Sequence, residues 1–224
     1  PLNQWHDPTE MKKKMKDLFD GAMIGRTMYV IVYSLGPLGS PMSRFAVQIT
    51  DSPYVVVLMR TLTRVGTPVL NTMGENTPFM SCLHSVGLPL LEGKDVPWPC
   101  NPDKRTIGIF PSEALVMSYG SNFGSNVLSN RIHLGLRGAS YFARREGWLA
   151  ERMAILGVTA PDGRKFYIAA AMPEDTGKTN MAMMVPTLPG WTVRCLSDDI
   201  AWLHIGEDGN LWAVNPEAGF FDRI

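Results

Sequence analysis

The residues best placed to do chemistry are Gly177-Lys178-Thr179 and, about twenty positions on, Asp198-Asp199. A glycine-lysine-threonine run that follows an apolar strand and opens a helix forms the end of a phosphate-binding loop. Loop N–H groups line the anion, the lysine ammonium reaches the terminal phosphates, and the threonine hydroxyl holds their metal. The order such a loop needs is here: 166–172 reads as the strand, 173–177 as the loop, and Lys178 as the first helical residue. Carboxylates just beyond a second apolar strand, 191–196, are what these sites use to hold magnesium or its bound water. The two parts together are more specific than either alone. Two features run against a plain nucleotide cradle. Met172 or Pro173 stands where the loop's first glycine belongs, and Glu174 and Asp175 put carboxylates where a triphosphate would lie. A like-charge contact at about 4 Å costs on the order of 4 kcal/mol at an effective dielectric near 20. These acids must therefore meet a cation, turn out to water, or serve a different ligand.

Two other stretches offer reactive groups or close backbone. Cys82 and His84 give a thiol and an imidazole two residues apart, which is one way to build a nucleophile pair. The expectation is that they point to opposite faces of a strand and play a structural part. The Gly/Ser/Asn-rich stretch 119–126 is a second place where backbone can approach an anion. The glycine- and proline-rich bend 34–41 is either a plain turn or a site lining.

Composition narrows the partners. Lys+Arg and Asp+Glu both number 21 in 224 residues, so nothing electrostatic favours nucleic acid or a membrane surface. Three cysteines, an odd count without metal-ligand spacing, fit a reduced, cytoplasmic setting. No apolar run reaches the roughly 18 residues of a membrane span, and the start shows no signal-peptide pattern.

The elements that must position these residues read as an α/β protein. Asp7-Pro8-Thr9-Glu10 starts an amphipathic helix, with Met11, Met15, Leu18 and Phe19 on one face. Strands are expected at 27–33 and 44–50, then a helix over 53–65 closed by Gly66. A loop-rich region follows over 67–102, then a strand pair at 105–110 and 114–119 and a helix over 137–152. Strands at 154–159, 165–172 and 191–196 carry the phosphate loop and the acidic pair. A hairpin at 200–204 and 211–214 closes the chain. The change in composition puts a domain boundary near Gly147, giving domains 1–147 and 148–224.

The blocks RTMYVIVYSLGPLGSPMSRFAVQITDSPYVVVLMR, CLHSVG, WPCNP, EGWLAE, GKTN, LPGW, DDIAW and NPEAGFF occur in this order. Together they make the chain similar to the middle third of a GTP-dependent phosphoenolpyruvate carboxykinase. The resemblance implies an N-terminal α/β domain and the opening of a phosphate-loop nucleotide-binding domain. It also implies a carboxy-lyase reaction between oxaloacetate plus GTP and phosphoenolpyruvate, GDP and carbon dioxide, with manganese and magnesium as cofactors. The family's substrate arginines, guanine pocket and lid have no counterpart in these residues. The partners the resemblance implies are a small-molecule substrate, oxaloacetate or phosphoenolpyruvate, and a second chain if one supplies those parts. Within the loop, Thr176, Gly177, Lys178, Thr179 and Asn180 match the nucleotide-binding run, with Thr179 on the nucleotide's metal. Asp198 and Asp199 match the acidic pair, Asp199 being a manganese ligand.

Elsewhere the family's chemistry is rewritten. Phe123 replaces its active-site tyrosine, and Arg131 and Ile132 replace a lysine pair that includes a manganese ligand. Arg152 replaces its manganese histidine, and Glu174-Asp175-Thr176 replaces Ser-Ala-Cys. Arginine has no lone pair to give a metal and isoleucine has no donor at all. His133 is either a substitute ligand or an ordinary surface or core histidine. Three functions remain open: a carboxykinase, a catalytically degenerate binding or regulatory subunit, or a phosphoryl-transfer enzyme with a rebuilt site. The altered residues lead us to expect no tight manganese site and weak or absent GTP binding. Glu174 and Asp175 are expected to turn away or to pair with Arg131, Arg152 or Lys178.

Overall fold

The computed structural model describes residues 4–91, 95–121, 130–172 and 176–220, with 130–133 described by their backbone alone. Internal contacts divide the chain into two units. The first comprises Pro1–Tyr33, Phe45–Arg60 and Val65–Asn130; the second comprises Ser34–Arg44, Thr61–Arg64 and Arg131–Ile224.

Unit 1 opens with α1 (Pro8–Phe19), whose first turn is capped as its sequence indicates. The Asp7 carboxylate accepts from the Thr9 and Glu10 N–H groups, two of the donors a helix start leaves unmet. The face bearing Met11, Met15, Leu18 and Phe19 packs into a cluster with Phe110, Met117 and Tyr119. The ring of Tyr119 meets Phe19 edge-on.

A six-stranded sheet runs in the order β3-β1-β2-β4-β6-β5. Its strands are β1 (Tyr29–Leu35), β2 (Arg44–Thr50), β3 (Arg64–Val65), β4 (Phe79–Ser85), β5 (Thr106–Phe110) and β6 (Leu115–Tyr119). β2, β4 and β6 are parallel neighbours, and β5 pairs antiparallel with β6. The expected strand at 27–33 begins two residues later. The helix expected over 53–65 ends earlier: α2 (Pro53–Leu62) stops so that Arg64–Val65 can join the sheet. The region expected to be loop-rich also needs correcting. It holds α3 (Thr67–Thr72) and β4, a strand with partners on both sides.

Unit 2 holds two three-stranded sheets, β10-β8-β9 and β12-β11-β7. The helix expected over 137–152 is shorter and less regular. A wide π-helical run, Asn130–Gly138, leads into α4 (Ala139–Glu146). Gly147 then ends the helix in the left-handed region, φ 78°, where a side chain would be strained. β7 (Leu149–Glu151) follows directly, then β8 (Met153–Thr159), β9 (Lys165–Ala171), α5 (Lys178–Ala182), β10 (Thr192–Ser197), β11 (Ala201–Ile205) and β12 (Leu211–Val214). Trp202 is completely buried on β11. Its indole N–H donates to the Gly135 carbonyl at 2.7 Å, and its ring packs on Trp148.

Candidate phosphate site

Strand order explains how distant residues meet. β9 and β10 flank β8 and both run antiparallel to it, so their C-terminal ends lie where β8 begins. Met153 pairs with Ala171, and Ile155 pairs with Ser197. One end of the sheet thus receives Arg152 just before β8, the loop to Lys178 after β9, and Asp198-Asp199 after β10.

Lys178 opens α5, which packs on β8 and β10. Gly177 precedes it at φ 97°, a conformation that favours glycine, with open space where a Cβ would stand. Lys178 is buried at 9% exposure, with Nζ 2.5 Å from Asp199 Oδ1. The second carboxylate oxygen is also engaged: Arg152 Nη2 donates to Asp199 Oδ2 at 3.1 Å. Burial pushes the Asp199 carboxyl up, but the hydrogen bonds and charges of Lys178 and Arg152 outweigh it and hold the group below the usual carboxylate range.

The turn carrying the acids is fixed by Ser197 Oγ, which donates to the Ile200 carbonyl at 2.6 Å. Asp198 is buried beside Asp199. Burial first, and then the Asp198 charge, raise the Cys195 thiol. Thr179 is half-buried, while Thr176 and Asn180 are exposed.

These residues do not fit a resident manganese or magnesium ion. A divalent cation would have to take the remaining lone pairs of Asp199 against the positive charges of Lys178 and Arg152, one on each oxygen. Arg152 can only donate. Among the described residues no three His, Cys, Asp or Glu side chains converge as a ligand set.

The fold gathers Lys178, Asp198, Asp199 and Arg152 as their strand ends dictate. Asp199 is a partner that sequence reading did not assign to either cation; only strand register reveals it. Phe123, Glu174 and Asp175 lie outside the described residues, as do the side chains of Arg131, Ile132 and His133. A cavity of about 360 Å³ in the same unit, lined by Pro37, Arg64, Leu196, Asn215, Glu217 and Phe220 among others, was not foreseen either. Of the stretches singled out from sequence as candidate site linings, only the bend 34–41 reaches it, through Pro37; none of the phosphate-loop or acidic-pair residues lines it.

Cys82 and His84 fall on the same face of β4, since residues two apart on a strand point the same way. The expectation of opposite faces is therefore wrong. Different partners keep the two apart. The Cys82 thiol lies 3.3 Å from the Tyr33 hydroxyl, and burial pushes it up to about 12, so the thiolate a nucleophile needs is suppressed. His84 Nε2 lies 2.7 Å from the Ser121 carbonyl, which can only accept, so Nε2 carries the proton. In the neutral ring Nδ1 then accepts from Thr50 Oγ1 at 2.6 Å, and Thr50 in turn accepts from the Ser52 N–H. Both side chains are structural.

A strand, a loop ending in Gly-Lys-Thr, a short helix and an acidic pair just after β10 define a phosphate-loop α/β protein. The profile of the phosphoenolpyruvate carboxykinase N-terminal domain matches residues 1–144, and that of the carboxykinase C-terminal P-loop domain matches 148–224. The chain belongs to the phosphoenolpyruvate carboxykinase family. It is 53% identical over 222 residues to phosphoenolpyruvate carboxykinase [GTP] of Chlamydia muridarum, covering 99% of this chain and 37% of that protein. The mitochondrial human phosphoenolpyruvate carboxykinase [GTP] is 53% identical, with 98% of this chain and 34% of that protein covered. The Treponema pallidum protein of the same name is 54% identical over 224 residues, 36% of its length. The chain thus spans little more than a third of the curated relatives it matches. No helix among the described residues is long and apolar enough to cross a membrane.

Proposed function

We propose that this chain is a non-catalytic carboxykinase relative, a phosphate-binding module in which metal-dependent decarboxylation and phosphoryl transfer have been given up. The observation that carries this reading is the double engagement of Asp199 by Lys178 and Arg152. The printed name of the curated relatives specifies GTP, and the family resemblance implies a metal and a free lysine acting on the nucleotide's phosphates. Here the acid that would ligate the metal is neutralised by two side chains, and one of them is that lysine. What the chain's own residues still offer is cationic contact to an oxyanion, from Lys178 and Arg152, with the Thr179 hydroxyl one residue on. Orientation of a phosphate group is within their means; polarising and decarboxylating a keto acid is not.

The reading is tested by assaying phosphoenolpyruvate formation from oxaloacetate and GTP with manganese and magnesium present, alongside calorimetric GTP titration. No turnover is expected, with GTP binding weaker than micromolar. Turnover above background, or micromolar GTP affinity abolished by Lys178→Ala, would restore the enzyme.

A further inference from the structure

Lys178 Nζ is buried and, its contact with Asp199 aside, meets no hydrogen-bond acceptor among the described residues. An ammonium has three protons to give. A buried cation with donors to spare normally faces an anion that can take several of them. Arg152 approaches the same carboxylate from the other side, with its side chain about one-third exposed. Two cations thus converge on one small anionic group. A carboxylate offers two oxygens, whereas a phosphate group offers three at its terminal position. The arrangement has the composition of an oxyanion site whose tenant is a side chain of the same protein.

From this geometry we infer that Asp199 is an internal occupant of an oxyanion site built by Lys178 and Arg152, and that a metal-free phosphate chain enters only by displacing it. This rests on the phosphate-binding reading above and adds a self-inhibiting contact to it. The sign of one substitution separates the arrangement from a metal-dependent site. Where an aspartate serves a metal, removing its charge weakens phosphate binding; where it blocks two cations, removing its charge strengthens binding. Asn in place of Asp keeps the shape and loses the charge.

The test titrates inorganic tripolyphosphate, with EDTA present, into the 224-residue chain and its Asp199→Asn variant by calorimetry. Asp199→Asn is expected to bind at least ten-fold tighter, and adding Lys178→Ala to it should remove the gain. If the unmodified chain binds and loses that binding with Lys178→Ala, while Asp199→Asn binds equally or more weakly, the internal occupant is refuted and the phosphate reading stands. If neither binds, both fall. Should circular dichroism show Asp199→Asn unfolded, Arg152→Met carries the test, because Lys178 still pairs with Asp199. Binding at least three-fold weaker than in the unmodified chain is then expected, and unchanged or tighter binding overturns the inference.

Discussion

A double-mutant cycle on Lys178 and Asp199 puts an energy on the ion pair at the phosphate site. Asp199→Asn leaves an ammonium whose side chain is only 10% exposed without its counter-charge. Removing one partner of a buried pair costs about 3–5 kcal/mol, most of it the penalty of the stranded charge. Lys178→Met is milder, since Asp199 keeps Arg152 at 3.1 Å and the methionine fills most of the volume; about 1–2 kcal/mol is expected. The double variant strands neither Lys178 nor Asp199, and Arg152 is about one-third exposed to water, so its cost should lie near that of Lys178→Met, a coupling of roughly 3–5 kcal/mol. Unfolding of unit 2 can be followed in urea through the fluorescence of Trp148 and Trp202, which pack on each other there. For a chain of this size 1 kcal/mol moves Tm by about 2–4 °C, so Asp199→Asn should melt about 10 °C below the unmodified chain. Additivity of the two single effects within about 0.5 kcal/mol would refute the pair as a buried, mutually dependent contact.

Other consequences are open to measurement. His84 is held neutral: burial lowers it, and the Ser121 carbonyl and the Asp51 charge only partly oppose this. Its folded value lies below its unfolded one near 6.5, so its share of stability is complete above that pH and is lost as pH falls below it. His84→Gln should flatten the fall in stability between pH 6.5 and 5, and an unchanged profile would count against the assignment. Trp202→Phe strands the Gly135 carbonyl and leaves a small void, for about 2–3 kcal/mol in a denaturant melt; a loss under 0.5 kcal/mol would contradict the bond. Gly177→Ala meets no atoms but forces a side chain to φ 97°, so a loss of about 1–2 kcal/mol is expected. Stability equal to that of the unmodified chain would show that this turn relaxes. Arg152→His restores a lone pair beside Asp199, and manganese binding followed by electron paramagnetic resonance should tighten at least ten-fold. Equal manganese affinity before and after would mean that Arg152 is not what excludes the ion.

Much of this was legible in the chain. Apolar spacing in Met11, Met15, Leu18 and Phe19, and the Asp7 cap, specify α1 without reference to anything distant. Strands β8, β9 and β10 are bounded by turn residues and fall within two residues of where they were expected. β4 was hidden because polar His84 and Ser85 join Met80 and Cys82 at its buried positions. Cys82, His84 and Ser85 each bond a separate partner, Tyr33, Thr50 and Asp51, and the polar pair interrupts the apolar stripe. The helix expected over 137–152 ran too far because the apolar spacing of Trp148 and Leu149 continues past Gly147, and only backbone geometry shows that glycine in the left-handed region. At the site, residue types pointed to phosphate and to a lost metal. The meeting of Arg152 with Asp199 depends on a register between β8 and β10, which includes a bulge at Cys195 to Ser197 that no local pattern encodes.

Unit 2 is assembled from three stretches, Ser34–Arg44, Thr61–Arg64 and Arg131–Ile224. The early pieces are bonded to the late one: the Gly36 N–H donates to the Pro216 carbonyl, and the Ala218 N–H to the Leu62 carbonyl. During synthesis Gly36 therefore precedes its partner by 180 residues and Leu62 by 156, at roughly 5–20 residues per second a delay of about eight to thirty-six seconds. Until then the 37–43 bend has only its own local turns, Ser40 N–H to Pro37 carbonyl and Ser43 N–H to Ser40 carbonyl. Gly36, Pro37, Gly39 and Pro41 suit that wait, because they favour these tight turns over helix or a continued strand until the late partners arrive.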